Sequence, residues 1–145
     1  MKKIALVALL ISAFVTGVFA RGKQPVAFEN VPEDVKEEIQ KNFLPLDIQL
    51  ITVKKVAPRR FEYAFKMNDE TEIKYNNRGE LIKVENDKGI KTLFVPEKMQ
   101  KYVHETFPNA TITKYEVAPG KKVLELNDEM TLVFTKQGKF VRIED

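Results

Sequence analysis

Val31-Pro32-Glu33-Asp34-Val35-Lys36-Glu37-Glu38-Ile39-Gln40-Lys41-Asn42-Phe43 returns 64 residues later as Val95-Pro96-Glu97-Lys98-Met99-Gln100-Lys101-Tyr102-Val103-His104-Glu105-Thr106-Phe107. In each copy the apolar residues recur at i, i+4 and i+8: Val35, Ile39 and Phe43, then Met99, Val103 and Phe107. That spacing predicts one helix per copy with a single narrow apolar stripe. Pro32 and Pro96 suit a first helical turn, where a missing N–H costs nothing. The acids that follow, Glu33, Asp34 and Glu97, match the positive end of the helix dipole. Pro45 and Pro108 stop the two helices.

Outward from the helices the duplication continues. Val56-Ala57-Pro58 returns as Val117-Ala118-Pro119, Asn68-Asp69-Glu70 as Asn127-Asp128-Glu129, and Gly79 as Gly138. The C-terminal landmarks are 59 residues apart, so the second copy has lost five residues around its first strands, where length change is tolerated. Four strands are predicted per copy: 48–56, 61–67, 71–75 and 81–85, then 111–117, 122–126, 130–134 and 140–143. Ile73 and Tyr75 alternate with Glu72 and Lys74, Leu124 and Leu126 with Glu125, and Val141 and Ile143 with Arg142 and Glu144. Such alternation describes an antiparallel sheet covered on one face only. Pro119-Gly120 suits a type II turn, and Gly79 and Gly138 suit left-handed turn positions. The expected fold class is α+β, a tandem duplication of one helix and a four-stranded antiparallel sheet. Pooling both cores in one eight-stranded sheet, with both helices on one face, avoids two halves too small to be stable alone.

Residues 1–20 have the pattern of a signal peptide. Lys2 and Lys3 precede an apolar run from Ile4 to Val15, and Val18 and Ala20 precede a plausible cut before Arg21. That run is short for a membrane span, so no stable anchor is expected after cleavage. The expected product is a secreted protein, periplasmic in a Gram-negative source, with residues 21–145 forming one domain of two repeats, about 26–86 and 90–145. Arg21 to Pro25 reads as a loose leader. The chain has no cysteine, which excludes disulfides and a lipidated thiol. Two of its 24 Lys and Arg lie in the leader, and none of its 21 Asp and Glu does, so a formal charge of +3 falls to +1 on cleavage. A nearly neutral product gives no electrostatic case for nucleic acid.

Two copies of Val-Pro, an i/i+4/i+8 helix ending near Phe-Pro and a closing turn with glycine, behind a signal peptide, resemble the PepSY-like family of small secreted bacterial proteins. The resemblance runs from about Phe28 to the C-terminus. It rests on Val31-Pro32 with Phe43, on Val95-Pro96 with Phe107-Pro108-Asn109-Ala110, and on Gly79 and Gly138. The first copy departs from it, since Leu44 separates Phe43 from Pro45. The resemblance implies the fold of beta-lactamase inhibitor protein and a periplasmic, non-catalytic protein that binds or inhibits another. It supplies no catalytic residues.

The residue inventory points the same way. His104 is the only histidine, and its counterpart in the first copy is Gln40. A metal site needs three or four converging ligands, so neither a metal nor a cofactor is expected. Ser12 is the only serine and leaves with the leader, which excludes serine catalysis. Asp69-Glu70 and Asp128-Glu129 read as solvated turns. The candidate binding residues are therefore surface charges. Arg59 and Arg60 follow Val-Ala-Pro in the first copy, and Lys121 and Lys122 follow it in the second after Gly120. Glu62, Lys74, Glu125 and Arg142 belong to the open sheet face, where Val133 is an apolar exception. Binding faces usually carry aromatic anchors, and Tyr63, Tyr102 and Tyr115 are candidates for that part. The expected function is a secreted, non-enzymatic protein-binding or inhibitor-like module, its partner another secreted or envelope protein. The alternative is a small-ligand carrier or sensor.

Overall fold

The computed structural model describes residues 22–127 and 129–144. The expected signal peptide lies outside the described residues, as does Asp128 of the second acidic turn. No helix among the described residues is long and apolar enough to cross a membrane.

The repeated Val-Pro stretches open helices α1 (Glu33–Gln40) and α2 (Glu97–Thr106). Pro32 and Pro96 sit one position earlier than the pattern suggested, as extended N-cap residues. The Pro32 carbonyl accepts from the N–H groups of Val35 and Lys36, both at 3.0 Å. Only the carbonyl enters the helix there, so a residue without an N–H loses nothing. α1 stops at Gln40, short of Phe43. The Phe43 N–H still reaches the Ile39 carbonyl at 3.1 Å, and this keeps its ring buried in line with Val35 and Ile39.

Among the described residues nine strands form the sheet, not eight. They are β1 (Lys23–Pro25), β2 (Ile48–Ala57), β3 (Arg60–Met67), β4 (Glu72–Asn76) and β5 (Leu81–Glu85), then β6 (Ile112–Ala118), β7 (Lys121–Leu126), β8 (Thr131–Thr135) and β9 (Phe140–Glu144). Their order in the sheet is their order in the chain. The additional strand comes from the segment read as a loose leader. Gln24 lies opposite Val53, and the Val26 N–H continues the ladder to the Ile51 carbonyl at 3.0 Å. These three residues carry no hydrophobic alternation. What recruits them is the row of backbone groups that β2 would otherwise leave unpaired.

The chain divides into two compact units. The first runs as far as Asp69 and includes Lys74–Glu80; the second comprises Glu70–Ile73 and everything from Leu81. The units do not coincide with the repeats, because Glu70–Ile73 is held by the turn after β5. The Asn86 amide donates to the buried Thr71 hydroxyl at 3.0 Å, and Lys88 pairs with Glu70 at 3.4 Å.

Each unit has its own core. In the first, Val35 and Ile39 of α1 are buried with Ile51, Phe65, Met67 and Tyr75, and the Phe65 and Tyr75 rings meet edge to face at 6.0 Å. The α1 start also closes on the turn after β4. Gly79 there has φ +78°, and a Cβ on it would stand 2.7 Å from the Asp34 carbonyl oxygen. In the second, Tyr102 of α2 stacks on Phe140 at 4.5 Å and meets Phe134 edge to face at 5.6 Å. Full burial of a ring such as Phe65 or Phe134 contributes about 1.5–3 kcal/mol. The helix side of the second unit is thus marked by Phe134, and by alternation Leu132 shares it.

Candidate functional site

Strand register decides what the second unit shows to solvent. Val84, Tyr115, Leu124, Leu132 and Ile143 lie opposite one another in a row on the helix side. The rows on either side of it face away from α2. One is Lys83, Glu116, Val123, Val133 and Arg142; the other is Glu85, Lys114, Glu125, Thr131 and Glu144. Charge therefore alternates in sign along much of this face, and the charges engage one another. Lys114 Nζ lies 2.9 Å from Glu125 and 3.5 Å from Glu116, and Lys83 lies 2.8 Å from Glu85. Arg142 donates to Glu144 Oε1 from Nε at 2.9 Å and from Nη2 at 2.6 Å.

Two of these groups titrate away from their ordinary values. Burial alone pushes the Lys114 ammonium down, but the Glu125 hydrogen bond and the charges of Glu125 and Glu116 outweigh it and hold the pKa up. The hydrogen bond from Arg142 is the largest influence on Glu144. With the Arg142 and Lys121 charges it overcomes slight desolvation and holds that carboxyl low. Both groups therefore stay ionised through neutral pH. Val133, expected as an apolar exception here, is only 2% exposed, so it is covered rather than presented.

The expected binding residues fall in four places. Glu125 and Arg142 belong to the face just described. Glu62, opposite Lys54, and Lys74, between the buried Ile73 and Tyr75, face away from the core of the first unit. Arg59 and Arg60 are exposed at the β2–β3 turn of that unit. Lys121 and Lys122, adjacent in the sequence, both belong to β7 and therefore fall on opposite faces of the sheet. Lys121 lies opposite Ala118 and Thr135 on the open side, whereas Lys122 lies opposite Val117 and Phe134 on the helix side. Arg59 has φ +60°, at the position where the second copy has Gly120 at φ +72°. An arginine held in a glycine conformation stores backbone strain.

None of the three candidate tyrosines is an anchor on the open face. Tyr102 belongs to the ring cluster around Phe140, Tyr115 is 3% exposed beside Leu124, and Tyr63 shares the side of Phe65. Lys114, Glu116 and Glu144 are members of the face that sequence reasoning did not select. The alternation of Lys114 and Glu116 around an apolar Tyr115 was the available signal.

His104 is exposed on α2. It borders a groove of about 570 Å³ with an apolar floor of Ile90, Val103, Phe107 and Ile112 and with Lys101 and Thr111 also at its margin. Among the described residues, no three His, Cys, Asp or Glu side chains gather closely enough to hold a metal ion.

Comparison with known proteins bears on the fold. The family described as "Putative beta-lactamase-inhibitor-like, PepSY-like" matches the chain twice, over residues 19–83 and 62–142. No curated protein matches significantly. Among solved structures, a "putative periplasmic protein of unknown function" from Bacteroides vulgatus is 22% identical, with a TM-score of 0.77 over 86% of this chain and 100% of that one. A "putative calcium-regulated periplasmic protein" from Bacteroides thetaiotaomicron is 17% identical, with a TM-score of 0.75 over 85% of this chain and 97% of that one. At these identities the likeness is one of fold.

Proposed function

The chain belongs to the PepSY-like family, and from that premise we propose that it is an exported, non-enzymatic protein that binds another envelope protein across the open face of its second unit. The observation that carries this reading is the ordered charge pattern around Lys114. The lysines of these pairs are part-buried but their carboxylate partners are open to water. Surface ion pairs contribute only about 0–1 kcal/mol each to folding, so folding stability alone does not account for this arrangement. A fixed alternation of sign does serve recognition, because it favours one complementary partner in one register and repels others. Export is supported by the sequence of residues 1–20 and by the periplasmic descriptions of the similar structures. A non-catalytic role is supported by the inhibitor-like description of the family.

A second reading, a carrier of a small ligand, is favoured by the groove beside α2. Its volume of about 570 Å³ and apolar floor fall within the range of small-molecule sites. Affinity purification from envelope extract separates the two. Under the first reading, a stoichiometric protein is retained at low salt and lost from a Glu116→Gln/Glu125→Gln variant that keeps its fold. Equal retention by that variant refutes the open-face assignment. A co-purifying small molecule without any protein moves the function to the groove.

A further inference from the structure

β9 is the last strand in the order, so one of its edges has no strand beside it among the described residues. The other end of the sheet is guarded: β1 is three residues long and ends in Pro25, which has no N–H to offer. β9 has five residues and no proline, and Val141 and Ile143 on it are 48% and 45% exposed.

We infer that β9 is a self-association edge, pairing antiparallel with β9 of a second copy about a two-fold axis at Ile143. The occupant follows from face and charge. A two-fold axis that sets a sheet edge antiparallel to itself runs perpendicular to the sheet, so every residue stays on its own face. Ile143 lies on the helix side with Leu132, while Arg142 and Glu144 lie on the open side with Val133 and Thr131. An axis at Arg142 would set that guanidinium against its own copy. An axis at Glu144 would do the same with carboxylates. An axis at Ile143 sets each Arg142 opposite Glu144 of the second copy and packs Ile143 against itself. Arg-Ile-Glu is thus its own complement when the strand is reversed. The Arg142–Glu144 pair within each strand becomes part of a four-charge cluster on the open face.

The contact is one short strand pair with a thin apolar seam, so a transient dimer is expected, with a dissociation constant on the order of micromolar to millimolar. Sedimentation velocity on untagged protein, purified from cells expressing the full chain, tests this over a concentration series. A reversible monomer–dimer equilibrium that weakens with salt is expected. Arg142→Glu and Glu144→Arg should each weaken it about tenfold, since either change makes both cross-strand pairs repulsive. Mixing the two variants should restore association, because the two carboxylates of one chain then meet the two guanidinium groups of the other. A protein that stays monomeric throughout overturns the inference. So does a dimer indifferent to both reversals, or one weakened by both without recovery in the mixture.

Discussion

Gly79→Ala and Gly138→Ala change equivalent positions of the two copies and are expected to have unequal costs. Both glycines are left-handed, at φ +78° and +85°. An alanine forced into that region costs about 1–2 kcal/mol at either site. Surroundings make the difference. At Gly79 the new Cβ would lie 2.7 Å from the Asp34 carbonyl oxygen and 3.0 Å from its carbon, both backbone atoms of the first turn of α1. Relief requires moving the helix start or the turn, and overpacking of this kind adds about 1–3 kcal/mol. At Gly138 the nearest atom is Met99 Cγ at 3.5 Å, an ordinary contact with a flexible side chain. Gly79→Ala should therefore lose about 2–5 kcal/mol and Gly138→Ala about 1–2. Urea unfolding followed by far-UV circular dichroism and tyrosine emission measures both, the chain having no tryptophan. Midpoints are compared at unchanged slope. If Gly138→Ala costs as much as Gly79→Ala, the argument from helix approach is wrong.

Arg59→Gly should stabilise the chain by about 1 kcal/mol, because it relieves a left-handed arginine whose exposed side chain supports no core contact. An unmoved urea midpoint would show that Arg59 bears no such strain. Alkaline stability should follow the tyrosines. Burial, aided by the Glu38 charge, raises the pKa of Tyr75, and burial raises those of Tyr63 and Tyr115. The folded chain then holds these protons more tightly than the unfolded one, whose tyrosines titrate near pH 10. Their contribution to stability is complete below about pH 10 and is lost as pH rises towards the folded values. Phenolate absorbance should therefore lag behind that of free tyrosine until unfolding sets in, and Tyr75→Phe should lessen the alkaline loss. Complete ionisation near pH 10 with the fold intact would refute the burial argument.

Much of the fold was legible because its determinants are local. Val35, Ile39, Met99 and Val103 announce their helices by spacing, and Gly79 and Gly138 announce turns by the backbone angles they permit. β1 was not legible, since Lys23–Pro25 is recruited by a neighbouring edge and not by its own pattern. The candidate face was half legible. Alternation put Glu125 and Arg142 on the open side, but Lys121 and Lys122 looked like one basic pair until register sent them to opposite faces. Val133 looked exposed by parity, yet it is covered.

The amino-acid sequence alone determined the duplication, the two helices, the alternating strands and the family resemblance, since each depends on residues close together in the chain. Tertiary structure decided which charges meet. Lys114 reaches Glu125 only because β6 and β7 align with that pair opposite one another, and Arg142 stands at an edge only because β9 is last in the order. Register and edge position are set by packing between distant segments, and no local spacing encodes them.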